Sequence, residues 1–136
     1  MRSVEKWRIP ASLLLGLLGI LISHPVQAQS WRSVTMSRQL SDETEMDVRI
    51  RFGAGRLNIE RAERGTLYRM HLRYDEESFE PVAEYAPGRL DLGVEGTRHG
   101  IRWRKEDTQE MELFLPSDVT MDLDLEFGAV RADVDL

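Results

Sequence analysis

The sequence predicts an all-β domain of short antiparallel strands in a stacked-sheet or solenoid-like arrangement, after an N-terminal signal-peptide helix. Three observations lead to this prediction. Apolar residues return at every second position through most of the chain after residue 45, and no window there has a helical period. Glycine, proline and acidic clusters separate these runs. One pattern of apolar and glycine positions occurs twice, at 46–61 and 121–136, which indicates an internal repeat.

The first 28 residues have the composition of a secretory signal peptide. Residues 2–8 are basic, residues 9–22 are almost uniformly apolar, and Val26-Gln27-Ala28 offers small residues for cleavage. An apolar run of about 14 residues is short for a membrane span, which needs about 20. We predict an exported protein, periplasmic, at the cell envelope or extracellular, without a membrane span in its mature form. Retention of the segment as an anchor is the alternative.

Charge and cysteine content exclude several classes of function. The chain has 18 basic and 24 acidic residues. Three of the basic residues and one of the acidic residues lie within residues 1–28. The remainder has a net charge of about −8, which argues against nucleic acid or an anionic membrane as partner, because phosphates are held by clustered Lys and Arg. The sequence has no cysteine, so the domain must depend on its apolar core instead of disulfides.

Residues 29–45 form a polar lead-in. We predict a short strand around Trp31–Ser37 and an acidic loop at Ser41–Glu45. The β domain then spans residues 46–136, between the two copies of the repeat.

The first copy of the repeat predicts two strands, Met46–Phe52 and Arg56–Arg61. Each alternates apolar and polar residues, and Gly53-Ala54-Gly55 separates them. Because glycine accepts positive φ without a steric penalty, the paired glycines predict a tight reversal or a bulge.

Five further strands are predicted between the copies. Pro81 lacks a backbone donor, so its strand is expected at a sheet edge. Tyr68 and Tyr74 share a face with Met70 and Leu72, which places them in the core. The five predicted strands are Tyr68–Tyr74, Phe79–Tyr85, Arg89–Glu95, Ile101–Arg104 and Glu110–Leu115.

The second copy, Met121–Leu136, keeps the apolar face of the first copy and inverts the charge of its polar face. Where the first copy has Arg49 and Arg51, the second copy has Asp124 and Glu126. Opposite charges on adjacent strands contribute about 0.2–1 kcal/mol per pair and help to fix register. The two copies are therefore expected to be neighbours in a sheet.

The last predicted strand stops at Leu136 with an apolar face and a strand edge that nothing later in the sequence covers. Repeat architectures need more than two units to be stable, so we expect the natural polypeptide to continue past Leu136. In the alternative, the last strand pairs back onto Met46–Phe52 and closes the sheet.

Little in the sequence points to catalysis, a metal or a cofactor. His71 and His99 have no histidine or cysteine at ligand spacing, and alternate acids on a strand lie about 7 Å apart, so they do not converge on calcium. No serine lies in a nucleophile-elbow context. We predict no catalytic, cofactor-binding or metal-binding residue. Trp103, beside Arg102 and Arg104, is the aromatic side chain predicted to contact a ligand.

Residues 46–136 resemble the bacterial toast-rack N-terminal domain family. The resemblance is carried by Phe52–Gly55, Gly88-Arg89-Leu90, Leu113 with Pro116, and Leu123–Ala129. It implies an exported protein of unknown function, with strands stacked like slices in a rack that continue past the second Gly-Ala pair. More distantly, the sequence is similar to the extracytoplasmic domains of LiaF-like envelope-stress proteins. The family has no assigned catalytic residues, so none is transferred.

Three functions remain open at this point. The first is a non-catalytic envelope or extracellular module for protein–protein assembly, whose partner is an unknown protein or a further C-terminal part of its own chain. The second is a carbohydrate or cell-wall ligand-binding domain that uses Ile101–Arg104. A hydrolase has the least support, because nothing distinguishes two catalytic carboxylates among the many acidic residues.

Overall fold

The computed structural model of the protein describes residues 30–97 and 108–136. The predicted signal peptide, 1–28, and the predicted strand Ile101–Arg104 lie outside these residues. Among the described residues, no helix is long and apolar enough to cross a membrane. The seven described strands are β1 (Trp31–Gln39), β2 (Glu45–Arg61), β3 (Thr66–Asp75), β4 (Phe79–Ala86), β5 (Arg89–Gly96), β6 (Glu110–Leu115) and β7 (Thr120–Asp135).

All seven strands belong to one mixed sheet. Its order is β1-β3-β6-β2-β5-β4, and β7 pairs with the other side of β2. The pairs β1–β3, β3–β6 and β4–β5 are antiparallel, whereas β2 runs parallel to β5, β6 and β7. The predicted all-β, stacked and solenoid-like class is confirmed, although the sheet is mixed because the chain returns to β2 three times in the same direction. Pro81 lies on edge strand β4, as predicted.

Strand β2 is the central element, and it differs from the predicted pair of strands. Glu45–Arg61 is one continuous strand of 17 residues, so of the two predicted possibilities at Gly53-Ala54-Gly55 the reversal is wrong and the bulge is the one that fits. One side of β2 pairs with β5 along residues 47–51 and then with β6 along 56–61. The glycines lie where the partner changes, so they bend the strand from one part of the sheet into the other.

The corner of β2 depends on Gly55. Its φ is +129°, a conformation that residues with a Cβ rarely adopt, and a Cβ there would lie 2.1 Å from the backbone oxygen of Gln109. That same oxygen accepts a hydrogen bond of 2.9 Å from the Arg56 N–H. The close approach of the two backbones therefore joins β2 to the start of β6 and leaves no room for a side chain.

The core is one cluster of buried apolar side chains. In β2, the buried side chains occupy even positions up to Phe52 and odd positions from Leu57, because the corner inserts one extra residue into the alternation. Tyr68 and Tyr74 are buried with the other apolar residues of β3, as predicted. The buried residues of β2, β3, β5 and β6 form one hydrophobic cluster. With no cysteine available, this cluster is the main source of stability.

Strand β7 is the second copy of the repeat, and it lies directly beside the first. Its partners in β2 follow one register from Glu45↔Thr120 to Glu60↔Asp135, so equivalent residues of the two copies are neighbours. At the corner, a Cβ on Gly128 would lie 2.1 Å from the Gly53 oxygen. The last strand therefore pairs onto β2, as in the alternative prediction, but it does not close the sheet within the described residues.

A polar cluster holds the loop between β1 and β2 against β4. The Arg38 guanidinium lies 3.7 Å from the Tyr85 ring centroid, and Tyr85 Oη donates a hydrogen bond of 2.8 Å to Glu43. Glu43 also accepts a hydrogen bond of 2.7 Å from the Ser41 N–H. The Ser41 and Tyr85 hydrogen bonds, in that order, lower the pKa of Glu43.

Substitution of Gly55 by alanine tests the corner. We expect Gly55→Ala to lower the free energy of unfolding by about 1–3 kcal/mol through backbone strain alone, and by more because the new Cβ meets the Gln109 backbone. Gly65→Ala is the matched control, since Gly65 also has positive φ (+80°) but open space around it. Urea unfolding measures both variants. Equal losses for the two would contradict the close backbone contact at Gly55.

The lowered pKa of Glu43 predicts a pH dependence. A carboxyl group with a depressed pKa stabilises the fold above its unfolded pKa, and this contribution is lost as pH falls through the folded pKa. We therefore expect the native protein to have a higher melting temperature than Glu43→Gln at neutral pH, and the two to converge in acid. Thermal unfolding from pH 7 down to pH 3 measures the difference. A difference that does not change with pH would contradict this assignment.

Candidate functional site

The outer edge of β7 is a long strand edge without a partner among the described residues. We call it the β7 edge: the backbone groups of Thr120–Asp135 that face away from β2, together with the side chains of this strand. In the described part of the chain, β7 pairs only with β2. A 16-residue strand thus presents a row of N–H and C=O groups that another strand can pair with.

Apolar side chains of β7 are left exposed by this arrangement. Leu92, Ile50 and Leu125 form one row across β5, β2 and β7. Leu92 and Ile50 are both 0% exposed, whereas Leu125 is 41% exposed and Val134, further along β7, is 49% exposed. The row is therefore buried in its first two strands and open in the third. One more strand on β7 would cover Leu125 as β7 itself covers Ile50.

The polar face of β7 is acidic. Asp124 and Glu126 are next to Arg49 of β2: Arg49 Nε lies 2.9 Å from Asp124 Oδ2 and 3.6 Å from Glu126 Oε1. The hydrogen bond from Arg49 to Asp124, reinforced by the charge of Asp124, raises the pKa of Arg49. The predicted charge pairing between the two copies is therefore present at Arg49. Arg51 differs from the prediction, because it forms an ion pair with Glu95 of β5.

A cleft of about 270 Å³ opens on this face across β5, β2 and β7. Asp47 and Asp122 are register partners in it, so two like charges lie side by side. Arg89 lines the same cleft, but its Nε bonds Asp91 at 2.9 Å. Within the described residues, neither Asp47 nor Asp122 has an ion-pair partner. The cleft is lined by Asp47, Val48, Arg49, Arg89, Asp122 and Asp124.

The repeat matches Asp47 with Asp122 in the same Met-Asp dipeptide. Because the two copies are neighbours in one register, charges that repeat without inversion lie side by side. The sequence does not predict that these two carboxylates line one cleft, because the cleft also needs β5 beside β2.

The residues predicted to contact a ligand are not placed by the structure. Trp103, Arg102 and Arg104 lie outside the described residues, so ligand contact there stays a prediction. His71 is half-buried, and its Nδ1 forms a hydrogen bond of 2.8 Å with Thr35 Oγ1. No group of three or more histidine or acidic side chains in residues 30–97 and 108–136 is arranged to hold a metal ion.

Comparison with known proteins gives one family and one fold relative. A family described as "N-terminal domain of toast_rack, DUF2154" matches residues 24–136. The fold is similar to that of a crystal structure described as "a putative cell adhesion protein from Clostridium sporogenes ATCC 15579", with a TM-score of 0.58 and 18% sequence identity. The match covers 76% of this chain and 51% of the other, so the chain spans about half the length of that protein. No curated protein matches the sequence.

A double-mutant cycle tests the electrostatic pairing of β2 with β7. Both side chains are about half exposed, so we expect Arg49→Ala and Asp124→Ala to be coupled by about 0.2–1 kcal/mol at low salt, and by less at high salt. Unfolding by urea gives the four stabilities. Arg49→Ala with Glu112→Ala is the control cycle, for which we expect no coupling, because the exposed Glu112 of β6 lies opposite Asn58, nine residues along β2 from Arg49. Equal coupling in both cycles would contradict the assigned pair.

Proposed function

The chain belongs to the toast-rack N-terminal domain family, and we propose that it acts as a non-catalytic β-module that assembles with another protein at the bacterial cell envelope. The observation behind this proposal is the β7 edge. It combines an unpaired strand edge with exposed apolar side chains, Leu125 and Val134, within the described residues. Exposed edges of this kind favour strand addition, because backbone hydrogen bonds give affinity and alternate side chains give specificity.

A non-catalytic role is supported by how the polar side chains are used. Arg49, Arg51 and Arg89 each contact a neighbouring carboxylate on the surface of the sheet. The pairs of Arg49 and Arg51 join neighbouring strands and help to fix their register, and the pair Arg89–Asp91 lies within β5. None of the three resembles a nucleophile with its base. Among the described residues, the acidic cleft contains carboxylates and arginines but no histidine, and no serine lines it.

Placement at the envelope is supported by two independent observations. The first 28 residues have the three-part composition of a signal peptide. The fold relative from Clostridium sporogenes is described as a putative cell adhesion protein, a description that fits a role outside the cytoplasm. The proposal therefore places the β7 edge outside the cytoplasm, where it meets its partner.

Photo-crosslinking in cells tests this function. We expect a benzoylphenylalanine at position 125, on the β7 edge, to give a defined adduct with a second envelope protein. The same residue at position 112, which is exposed at the middle of the sheet on β6, is the control and should give none. Cell fractionation of the adduct reports where the assembly forms.

Two results would contradict the proposal. Adducts that form equally at positions 112 and 125 would mean that the β7 edge is not the assembly surface. Binding of the purified protein to peptidoglycan that is lost in Trp103→Ala, with no adduct at position 125, would favour the carbohydrate-binding hypothesis.

A further inference from the structure

The outer face of β1 and β3 carries the opposite charge to the outer face of β4 and β5. Strand β1 contains no Asp or Glu, and the one acid of β3, Asp75, is buried and accepts a hydrogen bond of 2.8 Å from Ser78 Oγ. The outer face of β4 and β5 has four acids and one arginine: Glu80, Glu84, Asp91, Glu95 and Arg89. On β1 and β3, hydroxyl groups of one strand lie beside basic groups of the other. We call these register pairs the basic strip: Ser33 with Arg73, Thr35 with His71, and Ser37 with Arg69.

Arg73 of the basic strip is not neutralised by the acidic residue on its other side. Its register partner on β6 is Glu110, but Glu110 Oε1 lies 3.5 Å from Arg56 Nη1 of β2. The Arg73 guanidinium instead lies over the Trp31 ring of β1, 4.5 Å from the ring centroid. Among the described residues, no carboxylate forms an ion pair with Arg73. Its hydrogen-bond donors are therefore available to an anionic ligand on the β1 side.

The other two basic residues of the strip are also accessible. His71 Nδ1 and Thr35 Oγ1 share a hydrogen bond of 2.8 Å, so the imidazole is oriented towards β1. Arg69 Nη2 lies 3.9 Å from Glu63, whose side chain is 80% exposed. A pair so long and so exposed contributes little, so an anionic ligand can replace it.

The spacing of the strip suits an extended ligand. Alternate residues on a strand lie about 7 Å apart, so the three pairs span about 14 Å along β1 and β3. Guanidinium groups bind carboxylates through two parallel hydrogen bonds, and serine and threonine hydroxyls both donate and accept. Half-buried aromatic rings lie at the two ends, with Trp31 near Arg73 and Phe114 beside Arg69. These rings offer apolar surface to the C–H faces of a sugar.

We propose that the basic strip binds a linear acidic polysaccharide that lies extended along β1 and β3. Arg69 and Arg73 bind its carboxylates, and Thr35 with the two serines bonds its hydroxyl groups. This inference goes beyond the proposed assembly function and uses a different surface. In the sheet, β6 and β2 lie between the strip and β7.

Two other acidic partners fit this surface less well. An anionic membrane attracts clusters of about 4–8 basic residues, whereas the strip has two arginines and one histidine in a chain of net charge −6. An acidic protein surface needs an apolar centre in its interface, whereas Thr35 and His71 are at the centre of the strip. A polysaccharide has polar groups along its whole length, so it can bond every pair of the strip.

Titration calorimetry with the purified protein tests the proposal. The probes are oligosaccharides of galacturonate and of hyaluronate, which carry carboxylates at different spacings. The control is the methyl ester of the galacturonate oligosaccharide, which keeps the sugar chain and loses the charge. We expect an acidic probe to bind with a Kd of about 1 mM or below and to weaken with salt, and the ester to bind at least about tenfold more weakly. Failure of both acidic probes to bind, or equal binding of the ester, would overturn the proposal.

Protein variants test whether binding occurs on the strip. Arg69→Gln with Arg73→Gln removes two exposed charges, and we expect it to weaken binding by about tenfold or more. Arg49→Gln with Arg89→Gln removes two charges from the acidic cleft and is the matched control, for which we expect unchanged affinity. Thermal unfolding checks that both variants are folded. Equal weakening by the two would mean that binding follows net charge and would overturn the proposal.

Two measurements separate this site from the ligand contact predicted at Trp103. Amide chemical shifts should change near Thr35 and His71 on addition of the acidic probe, and not near Asp124. Trp103→Ala should leave the affinity unchanged. Loss of binding in Trp103→Ala would place the polysaccharide at Ile101–Arg104 and would overturn the proposal.

Competitors identify the class of ligand, and a crosslink separates this inference from the proposed function. Binding of polyglutamate or of phosphatidylglycerol vesicles as tight as that of the acidic oligosaccharide would indicate an acidic polypeptide or a membrane and would overturn the proposal. We expect Arg69→Gln with Arg73→Gln to keep the adduct at position 125. An adduct without polysaccharide binding leaves the assembly function standing and this inference wrong, and binding without an adduct gives the reverse.

Discussion

The structure depends on the close, in-register stacking of parallel strands that turn the same corner. β2 and β7 keep one register over their whole length, and their backbones approach so closely at the corner that Gly128 has no room for a side chain beside Gly53. Gly55 meets the chain before β6 in the same way. Each layer must therefore bend where the previous layer bends. Because the chain has no cysteine, the apolar rows between these layers carry the stability.

The same stacking explains why the candidate site is an edge instead of a pocket. Each strand in the series is buried by the next, so Ile50 of β2 is covered and Leu125 of β7 is exposed. The same register places charged residues of equivalent positions side by side, with opposite sign at Arg49 and Asp124 and with equal sign at Asp47 and Asp122. The apolar and charged features of the β7 edge are thus two results of one geometry. A further strand that continues the apolar rows would cover Leu125 and Val134.

The sequence was informative where its pattern is local and periodic. Alternation predicted the all-β class and the burial of Tyr68 and Tyr74. The missing backbone donor of Pro81 predicted the edge position of its strand. The repeat predicted that its copies are neighbours, because inverted charge at Arg49 and Asp124 has a physical use only at contact distance. These inferences need no knowledge of the path of the chain between the copies.

The sequence was ambiguous where glycine permits more than one path of the backbone. Paired glycines suit a reversal and a bulge equally well, and only the partners of β2 on each side of Gly55 distinguish the two. The partner of Arg51 was missed for a similar reason, since Glu95 lies on β5, whose place beside β2 follows from the topology of the sheet. In both cases the outcome depends on the pairing of strands that are far apart in the sequence.

Disulfide trapping tests the central claim, the in-register pairing of β2 with β7, most directly. The chain has no native cysteine, so pairs of cysteines can be introduced without interference. Register partners in adjacent strands lie about 5 Å apart, within disulfide reach, whereas a shift of two residues puts the Cα atoms about 8 Å apart, beyond it. We predict rapid oxidation of the pair Arg49→Cys with Asp124→Cys, and none for Arg49→Cys with Asp122→Cys. Equal oxidation of the two pairs, or oxidation of the second alone, would contradict the register from which the β7 edge is derived.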